Sequence, residues 1–305
     1  MIGVVEAGGT KFICAIGDET GRLLSEERIA TTDPATTLAA MLASLHRQSA
    51  AHGTISSIGV GSFGPVELDR ASAHYGYILR TPKPLWRVID LAGTLGREFS
   101  CPVGFDTDVN AAAIAEHRWG SARGIDDVIY VTVGTGIGGG ALVAGRPVHG
   151  LLHPEIGHIH PRRHAADREF IGVCPFHGDC LEGLASGPAI IARSGVSLDR
   201  LDEHHPQWDI EADYLGQLCM TLVLTISPRR IVLGGGVMSQ TRLLPKIRER
   251  MKHWLHGYVD RREVLVALDE FIVCPALGAR AGVLGALALG IDAARGPAAV
   301  AQGVA

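Results

Sequence analysis

Residues 127–148 read DVIYVTVGTGIGGGALVAGRPV, and this stretch decides the fold. Its first part, Asp127 to Val133, has the apolar and β-branched pattern of a buried strand. The glycines that follow contain G-x-G-x-x-G, the spacing of a dinucleotide-binding loop, but such a loop opens a helix. Here they lead into a second strand pattern with a turn at Ala144-Gly145. The stretch therefore predicts a glycine-tipped β-hairpin and argues against a Rossmann unit and a nicotinamide-dependent oxidoreductase.

A second hairpin of this kind is predicted at the start of the chain. Strand patterns at residues 2–6 and 12–17 flank Ala7-Gly8-Gly9-Thr10-Lys11. Glycines let backbone N–H groups approach a phosphate closely, and the threonine hydroxyl and lysine ammonium can add donors. The alternative interpretation of this segment is a plain tight hairpin turn. Two such hairpins, one early in each half, predict a duplicated architecture that closes around a phosphate chain, and the absence of G-x-x-x-x-G-K-[ST] excludes a P-loop.

Composition and charge indicate a globular protein that binds a small molecule. The 305 residues are 47% hydrophobic, enough for a sizeable core in two lobes. A formal net charge of -4 and a pI near 6.4, without a long basic cluster, predict no nucleic-acid or membrane partner. The start MIGVVEAGG lacks the basic region of a signal peptide, so a cytoplasmic protein is expected. Six cysteines in a chain of this size do not indicate a disulfide scaffold.

The segment between residues 153 and 188 has the ligand spacing of a metal site. Cys174, His177 and Cys180 follow one another at intervals of three, and His158 lies upstream. Two thiolates and two imidazoles suit tetrahedral zinc, and no position remains for a metal-bound water. The pattern predicts structural zinc that closes a loop marked as solvated by Arg162, Arg163 and Asp167. In the alternative interpretation the cysteines are small buried hydrophobes and the histidines are surface residues.

Three carboxylates stand at positions where they can meet a ligand. Glu155 precedes the first metal ligand by three residues and Glu182 follows the last by two, so both would sit on metal-tethered backbone. Asp108 stands between a strand ending at Asp106 and a helix predicted from Asn110 to Trp119. A carboxylate at that junction is aimed into a cleft. An aspartate is also a favoured helix N-cap, and both interpretations remain open here.

Two further turns are candidate binding segments. Gly234-Gly235-Gly236 separates a strand at residues 230–233 from a helix at 243–255, which exposes backbone donors to a phosphate or a flat base. Simple close packing would explain the same glycines. The sharp turn at residues 63–66 is of the kind found at a cleft edge. Residues 77–86 are expected to be irregular, either as a substrate-selecting loop or as a plain surface crossing.

Six motifs in order resemble the ROK family of sugar kinases and repressors. They are EAGGTK at 6–11, DTDVNAAA at 106–113, VTVGTGIGGG at 131–140, EIGH at 155–158, the His158/Cys174/His177/Cys180 set and LGGGV at 233–237. The resemblance covers nearly the whole chain. It implies an α/β protein with the actin-like, ribonuclease-H-like ATPase fold, in which two lobes flank a cleft. Residues 1–108 and 281–305 are expected to form one lobe and residues 109–280 the other.

The resemblance also implies a role for each site residue. Asp108 would be the general base that takes the proton from the attacking sugar hydroxyl. The phosphate contacts would be Gly8, Gly9, Thr10, Lys11, Gly134, Thr135 and Gly136. The adenosine side would be Pro188, Gly234, Gly235, Gly236, Val237 and Met238. The sugar pocket would be Gly64, Pro65, Thr107, Asp108, Glu155, His158 and Glu182, with His158 also binding zinc.

Within the family, the bacterial fructokinases are most similar to this sequence. Glucokinase-type members usually have Asp-x-Gly-Gly-Thr, an Asn-Asp pair and three zinc-binding cysteines, and Glu6, Thr107 and His177 depart from that pattern. The resemblance implies ATP-dependent and Mg²⁺-dependent phosphorylation of D-fructose at its 6-hydroxyl by a homodimer. Alternatives are a mannokinase, a glucokinase, an N-acylmannosamine kinase or a non-catalytic sugar-binding protein. A repressor would carry a helix-turn-helix ahead of the first hairpin, and the strand predicted from residue 2 disfavours it.

Overall fold

The structure is a computed structural model, and it describes residues 1–296. The tail after Gly296, which the sequence predicts to be loose, lies outside the described residues. The chain divides into two compact units. The first contains residues 1–115, 147–153 and the described residues from 279 onward, and the second contains residues 116–146 and 154–278. Residues 109–115 thus belong to the first unit, whereas the predicted second lobe begins at residue 109.

The strands and helices follow one another in an α/β order. The strands are β1 (Ile2–Ala7), β2 (Lys11–Gly17), β3 (Leu23–Ala30), β4 (Ser57–Ser62), β5 (Tyr77–Arg80), β6 (Arg87–Asp90), β7 (Val103–Thr107), β8 (Val128–Val133), β9 (Ile137–Val143), β10 (Arg146–Pro147), β11 (Arg230–Gly234) and β12 (Ile272–Val273). The helices are α1 (Pro34–His52), α2 (Leu91–Phe99), α3 (Asp108–Trp119), α4 (Leu181–Ala185), α5 (Gly187–Ser194), α6 (Gln207–Thr225), α7 (Leu243–Leu255), α8 (Arg262–Leu265), α9 (Leu268–Phe271) and α10 (Ala281–Arg295). Within residues 1–296, no helix has the length and apolar character needed to cross a membrane.

Each unit is built on a five-stranded sheet, and the two sheets share one strand order. The first runs β3-β2-β1-β4-β7 and the second runs β10-β9-β8-β11-β12. In each, an antiparallel glycine-tipped hairpin, β1-β2 or β8-β9, is followed by two strands parallel to its first strand. Both predicted hairpins and the predicted duplication are therefore confirmed.

Helix α10 lies directly on the first sheet because glycines in the strands let it approach. A Cβ added at Gly59 of β4 would lie 1.8 Å from the carbonyl oxygen of Ala286. A Cβ added at Gly104 of β7 would lie 2.2 Å from the carbonyl oxygen of Leu289. Since α10 is apolar along its length and mostly buried, it forms one wall of the core of this unit.

Several elements differ from the sequence predictions, and three of them bear on the site. Residues 77–86 are not irregular throughout, because β5 pairs with β6 as an antiparallel ribbon. The short helix α4 was not predicted, since a five-residue segment containing glycine has no clear period. Helix α3 begins at Asp108 rather than Asn110 because the Thr107 hydroxyl accepts a hydrogen bond from the Asn110 N–H at 3.0 Å.

Candidate active site and metal centre

Asp108 is the first residue of α3 and directly follows β7. Its Oδ1 accepts a hydrogen bond from the N–H of Val109 at 2.9 Å. The helix cap, however, is the hydroxyl of Thr107, which is only 3% exposed. The interpretation of Asp108 as merely the helix cap is therefore wrong. Thr107, expected beside the sugar, is buried, and its hydroxyl caps α3.

A buried carboxylate two residues earlier organises the start of α3. Asp106 Oδ1 accepts hydrogen bonds from the N–H of Thr107 and from Nδ2 of Asn110, both at 2.7 Å. Its Oδ2 lies 3.0 Å from Nε2 of His149, and this hydrogen bond raises the pKa of His149 above its ordinary value. The sequence analysis missed Asp106 and His149. The only signal was the alternation of two acids in Asp-Thr-Asp.

Glu6 lies at the end of β1, beside the first hairpin. Burial of its carboxyl, followed by the charge of Asp108, raises the pKa of Glu6 to about 7. Its Oε2 is buried without a hydrogen-bond partner among the described residues. An orphaned carboxylate oxygen close to a second carboxylate fits the surroundings of a hydrated divalent cation.

The first hairpin presents its tip to solvent. The N–H of Gly8 donates to the carbonyl of Lys11 at 3.0 Å, and a Cβ at Gly8 would lie 2.7 Å from that oxygen. Gly9, Thr10 and Lys11 are exposed. The tip therefore requires glycine at position 8 and leaves the predicted phosphate donors accessible.

The turn at Gly64-Pro65 is held by a histidine that the sequence analysis did not assign. His153 is 8% exposed, and its Nε2 accepts a hydrogen bond from the N–H of Val66 at 3.1 Å. A Cβ at Gly64 would lie 3.1 Å from Cε1 of the same ring. The predicted sugar residues Gly64 and Pro65 thus lie in a turn shaped by His153.

In the second unit, Glu155 and Glu182 interact as predicted neighbours around the metal segment. Burial and the charge of Glu182 raise the pKa of Glu155 to about 7. Glu182 also has a contact that the sequence did not predict. Its Oε2 accepts a hydrogen bond from the N–H of Ile137 in the second hairpin at 2.9 Å.

A cavity of about 570 Å³ lies within the second unit and gathers part of the predicted nucleotide residues. Predicted residues that line it are Gly134, Thr135, Pro188, Gly236 and Val237. Residues that the sequence analysis missed are Gly187, Ile190, Ile191, Ser197, Leu198, Asp199, Ser239 and Gln240. The two adjacent isoleucines, Ile190 and Ile191, could have predicted an apolar wall of the cavity after the helix start at Ser186-Gly187-Pro188.

The other predicted nucleotide residues act through the backbone or the core. Gly234 is packed under a tyrosine, since a Cβ there would lie 2.5 Å from the hydroxyl of Tyr130. Gly235 has a φ of 91°, in the left-handed region that favours glycine. Met238 is buried, and Gly136 lies against Glu182. These residues do not line the cavity.

The four predicted metal ligands come together in one cluster. Their ligand atoms all lie within 4.8 Å of one another. Nδ1 of His158 lies 3.4 Å from Sγ of Cys180 and 3.8 Å from Sγ of Cys174, and Nδ1 of His177 lies 3.7 Å from Sγ of Cys174. Zinc with tetrahedral bonds of about 2.0–2.3 Å separates its ligand atoms by roughly 3.3–3.8 Å. The donor set and its spacing therefore fit zinc.

Of the three charged residues that suggested a solvated loop between the metal ligands, Arg162 is exposed but Asp167 is not solvated. Asp167 is 4% exposed and is paired with Arg193, with N···O distances of 2.7 and 3.0 Å. The hydroxyl of Tyr214 also donates to Asp167 at 2.7 Å. This part of the prediction is wrong, because a charge looks the same in a sequence whether water or an arginine solvates it.

Comparisons with known proteins identify the class. Residues 2–293 match the model of the ROK family. A fructokinase from Zymomonas mobilis is 44% identical over 296 residues, covering 96% of this chain and 97% of the relative. A fructokinase from Pediococcus pentosaceus is 40% identical over 289 residues, covering 95% and 97%. The structure of a ROK family glucokinase from Streptomyces griseus in complex with glucose and AMPPNP is 26% identical, with a TM-score of 0.71 over 95% of this chain and 98% of that chain.

The fold and the site therefore define a sugar kinase with the actin-like ATPase architecture, as the resemblance implied. The chain belongs to the ROK family.

Proposed function

We propose that this chain is a fructokinase that transfers the γ-phosphoryl group of ATP to the 6-hydroxyl of D-fructose. The observation that carries the proposal is the 44% and 40% identity to two fructokinases over almost the whole chain. The glucokinase structure, of the same family and fold, is 26% identical. A homodimer, expected from the resemblance, stays a prediction.

In this proposal Asp108 orients the sugar hydroxyl and accepts its proton. Phosphoryl transfer needs little covalent chemistry from a protein, so alignment and electrostatic stabilisation dominate. The position of Asp108 supports the assignment, because the helix cap is supplied by Thr107 and the aspartate is not needed for it. The two hairpins would offer backbone donors to the phosphates, and the cavity of the second unit would take the adenosine.

Two metal ions belong to the proposal. Glu6 would hold a water of hydrated Mg²⁺, and that ion would supply charge neutralisation for the phosphates. The orphaned Oε2 of Glu6 supports this assignment. Zinc at His158, Cys174, His177 and Cys180 would be structural, since four protein ligands complete its coordination. It would hold the backbone that carries Glu155 and Glu182.

The sugar residues of the proposal are Gly64, Pro65, Thr107, Asp108, Glu155, His158 and Glu182. His158 would present its Nε2 edge to the sugar, because Nδ1 faces the cysteine sulfurs. Selectivity for fructose is assigned to Thr107 and to the loop Thr81-Pro82-Lys83. An unpaired buried polar group costs about 1–3 kcal/mol, so two such losses separate sugars by about a hundredfold or more.

A substrate panel tests the proposal. Fructose, mannose, glucose and N-acetylmannosamine are each incubated with ATP and Mg²⁺, and ADP release is measured. We expect the highest kcat/KM for fructose, with mannose second. Equal or better use of glucose would overturn the fructokinase assignment, and no ADP with any sugar would favour the non-catalytic alternative.

Asp108→Asn tests the catalytic role. The amide is nearly isosteric and the cap at Thr107 is untouched, so the variant should keep the parent melting temperature. Loss of the base should lower kcat for fructose by roughly a hundredfold or more. Near-parental turnover in the folded variant would remove Asp108 from the mechanism.

A further inference from the structure

Glu182 stands where the metal cluster meets the second glycine hairpin. The metal ligand Cys180 immediately precedes α4, and Glu182 is in the first turn of that helix. Its Oε2 accepts the hydrogen bond from the Ile137 N–H at 2.9 Å, and a Cβ at Gly136 would lie 2.6 Å from the same oxygen. The carboxylate is therefore packed against the hairpin backbone, with glycine at position 136 making room for it.

The hairpin is tied to the same short segment at its other end. The N–H of Gly187 donates to the carbonyl of Gly134 at 2.7 Å. The N–H of Ser186 in turn donates to the carbonyl of Glu182 at 3.1 Å. Residues 182–187 thus hold both sides of the tip at residues 134–137, once through a carboxylate and once through a backbone amide.

A carboxylate at this place has two opposing effects on a bound nucleotide. Its negative charge repels phosphate, and it occupies a backbone N–H that could otherwise face the ligand. Against this, it orders a glycine-rich tip whose conformational freedom would be lost on binding. A charge-assisted hydrogen bond from a carboxylate to a backbone amide is among the stronger ones in proteins. The carboxylate contacts the tip at two adjacent residues, through the hydrogen bond from Ile137 and the packing against Gly136.

We infer that Glu182 is a positioning residue for the nucleotide: its carboxylate holds the second hairpin in the conformation that binds the phosphates of ATP. This role is additional to the sugar contact of Glu182 and rests on the proposed function. It assigns one side chain to both substrates and places the metal ligand Cys180 two residues away from it.

The inference is tested by the affinity for AMPPNP with Mg²⁺ in the absence of sugar, measured by calorimetry. Glu182→Gln keeps an oxygen that can accept from Ile137, whereas Glu182→Asp is shorter by one methylene and Glu182→Ala has no acceptor. We expect about tenfold or greater weakening in the aspartate and alanine variants and a change of less than about threefold in the glutamine variant. Glu203→Gln, at a side chain 69% exposed, controls for the loss of one charge.

Hydrogen exchange gives a second measurement that needs no ligand. The amides of residues 134–138 should exchange faster in Glu182→Ala than in the parent or in Glu182→Gln. The inference is overturned if the alanine and aspartate variants bind AMPPNP as tightly as the parent or more tightly, or if exchange in this segment is unchanged. Because no sugar is present, these results are independent of the fructose assay, and failure of either leaves the other interpretable.

Discussion

At the scale of single residues, Thr107 caps α3, and the proposed catalytic role belongs to its neighbour Asp108. The threonine hydroxyl satisfies the Asn110 N–H, and the aspartate stands one position later, at the first residue of the helix. Two other acids of the first unit, Asp106 and Glu6, have contrasting surroundings. Asp106 accepts three hydrogen bonds, whereas Glu6 has one buried oxygen without a partner among the described residues. Burial without a hydrogen-bond partner for this oxygen agrees with the raised pKa of the Glu6 carboxyl.

Glu6→Gln should stabilise the protein at alkaline pH and have little effect at acidic pH. The folded-state pKa of Glu6 is raised to about 7, above its ordinary value of 4.5. Folding therefore binds a proton, and the free energy of unfolding falls as pH rises from about 4.5 through about 7. Above that window, the free energy of unfolding of the glutamine variant should exceed that of the parent by on the order of 3 kcal/mol. Melting temperatures without Mg²⁺ at pH 4 and pH 8 measure the difference, and an equal change at both values would contradict the assignment.

At the scale of elements, the first unit depends on close contact between α10 and its sheet. Glycine at position 59 is required because the nearest atoms to an added Cβ belong to backbone, at 1.8 Å from the Ala286 oxygen and 2.3 Å from the Gly290 nitrogen. The backbone of β4 and the backbone of α10 cannot move aside at this contact as a flexible side chain could. The helix would have to separate from β4 along its length.

Gly59→Ala should therefore be strongly destabilising. Overpacking of a dense core costs typically 1–3 kcal/mol, and contact with backbone places this site at or above the upper end. Gly150→Ala is the matched control, because the nearest atom to its added Cβ is the Leu152 oxygen at 3.9 Å. Urea unfolding of both variants measures the difference. Equal midpoints for the two variants would show that α10 can shift without cost.

At the scale of the whole molecule, the candidate metal cluster and a buried ion pair lie in the same part of the second unit. The cluster of His158, Cys174, His177 and Cys180 closes the loop, and Asp167 with Arg193 anchors its interior. Helix α4, which carries Glu182, begins immediately after the last ligand. Loss of the metal is therefore expected to displace α4 and, with it, the proposed substrate residue Glu182.

Cys180→Ser should lower metal content, melting temperature and fructose kinase activity together. Serine is a poor zinc ligand, and a structural zinc site contributes directly to folding stability. Cys101→Ser, at a half-buried cysteine that is not one of the four clustered residues, should keep bound zinc and the parent activity. Elemental analysis that finds no zinc in active, chelator-treated protein would contradict the structural-metal assignment.

The sequence by itself determined the features that depend on neighbours along the chain. A strand pattern, a glycine run and a second strand pattern predicted both hairpins, because strand periodicity and turn chemistry are local properties. The metal ligands were predicted for the same reason, since three of the four lie within seven residues of one another.

Only the tertiary structure decided which distant groups meet. Glu182 contacts Ile137 across 45 residues, His149 contacts Asp106 across 43, and Arg193 contacts Asp167 across 26. The partner of a polar side chain cannot be predicted from the identity of that residue alone. Whether it binds a ligand, holds a hairpin or lies in a buried ion pair depends on what the fold brings within about 3 Å.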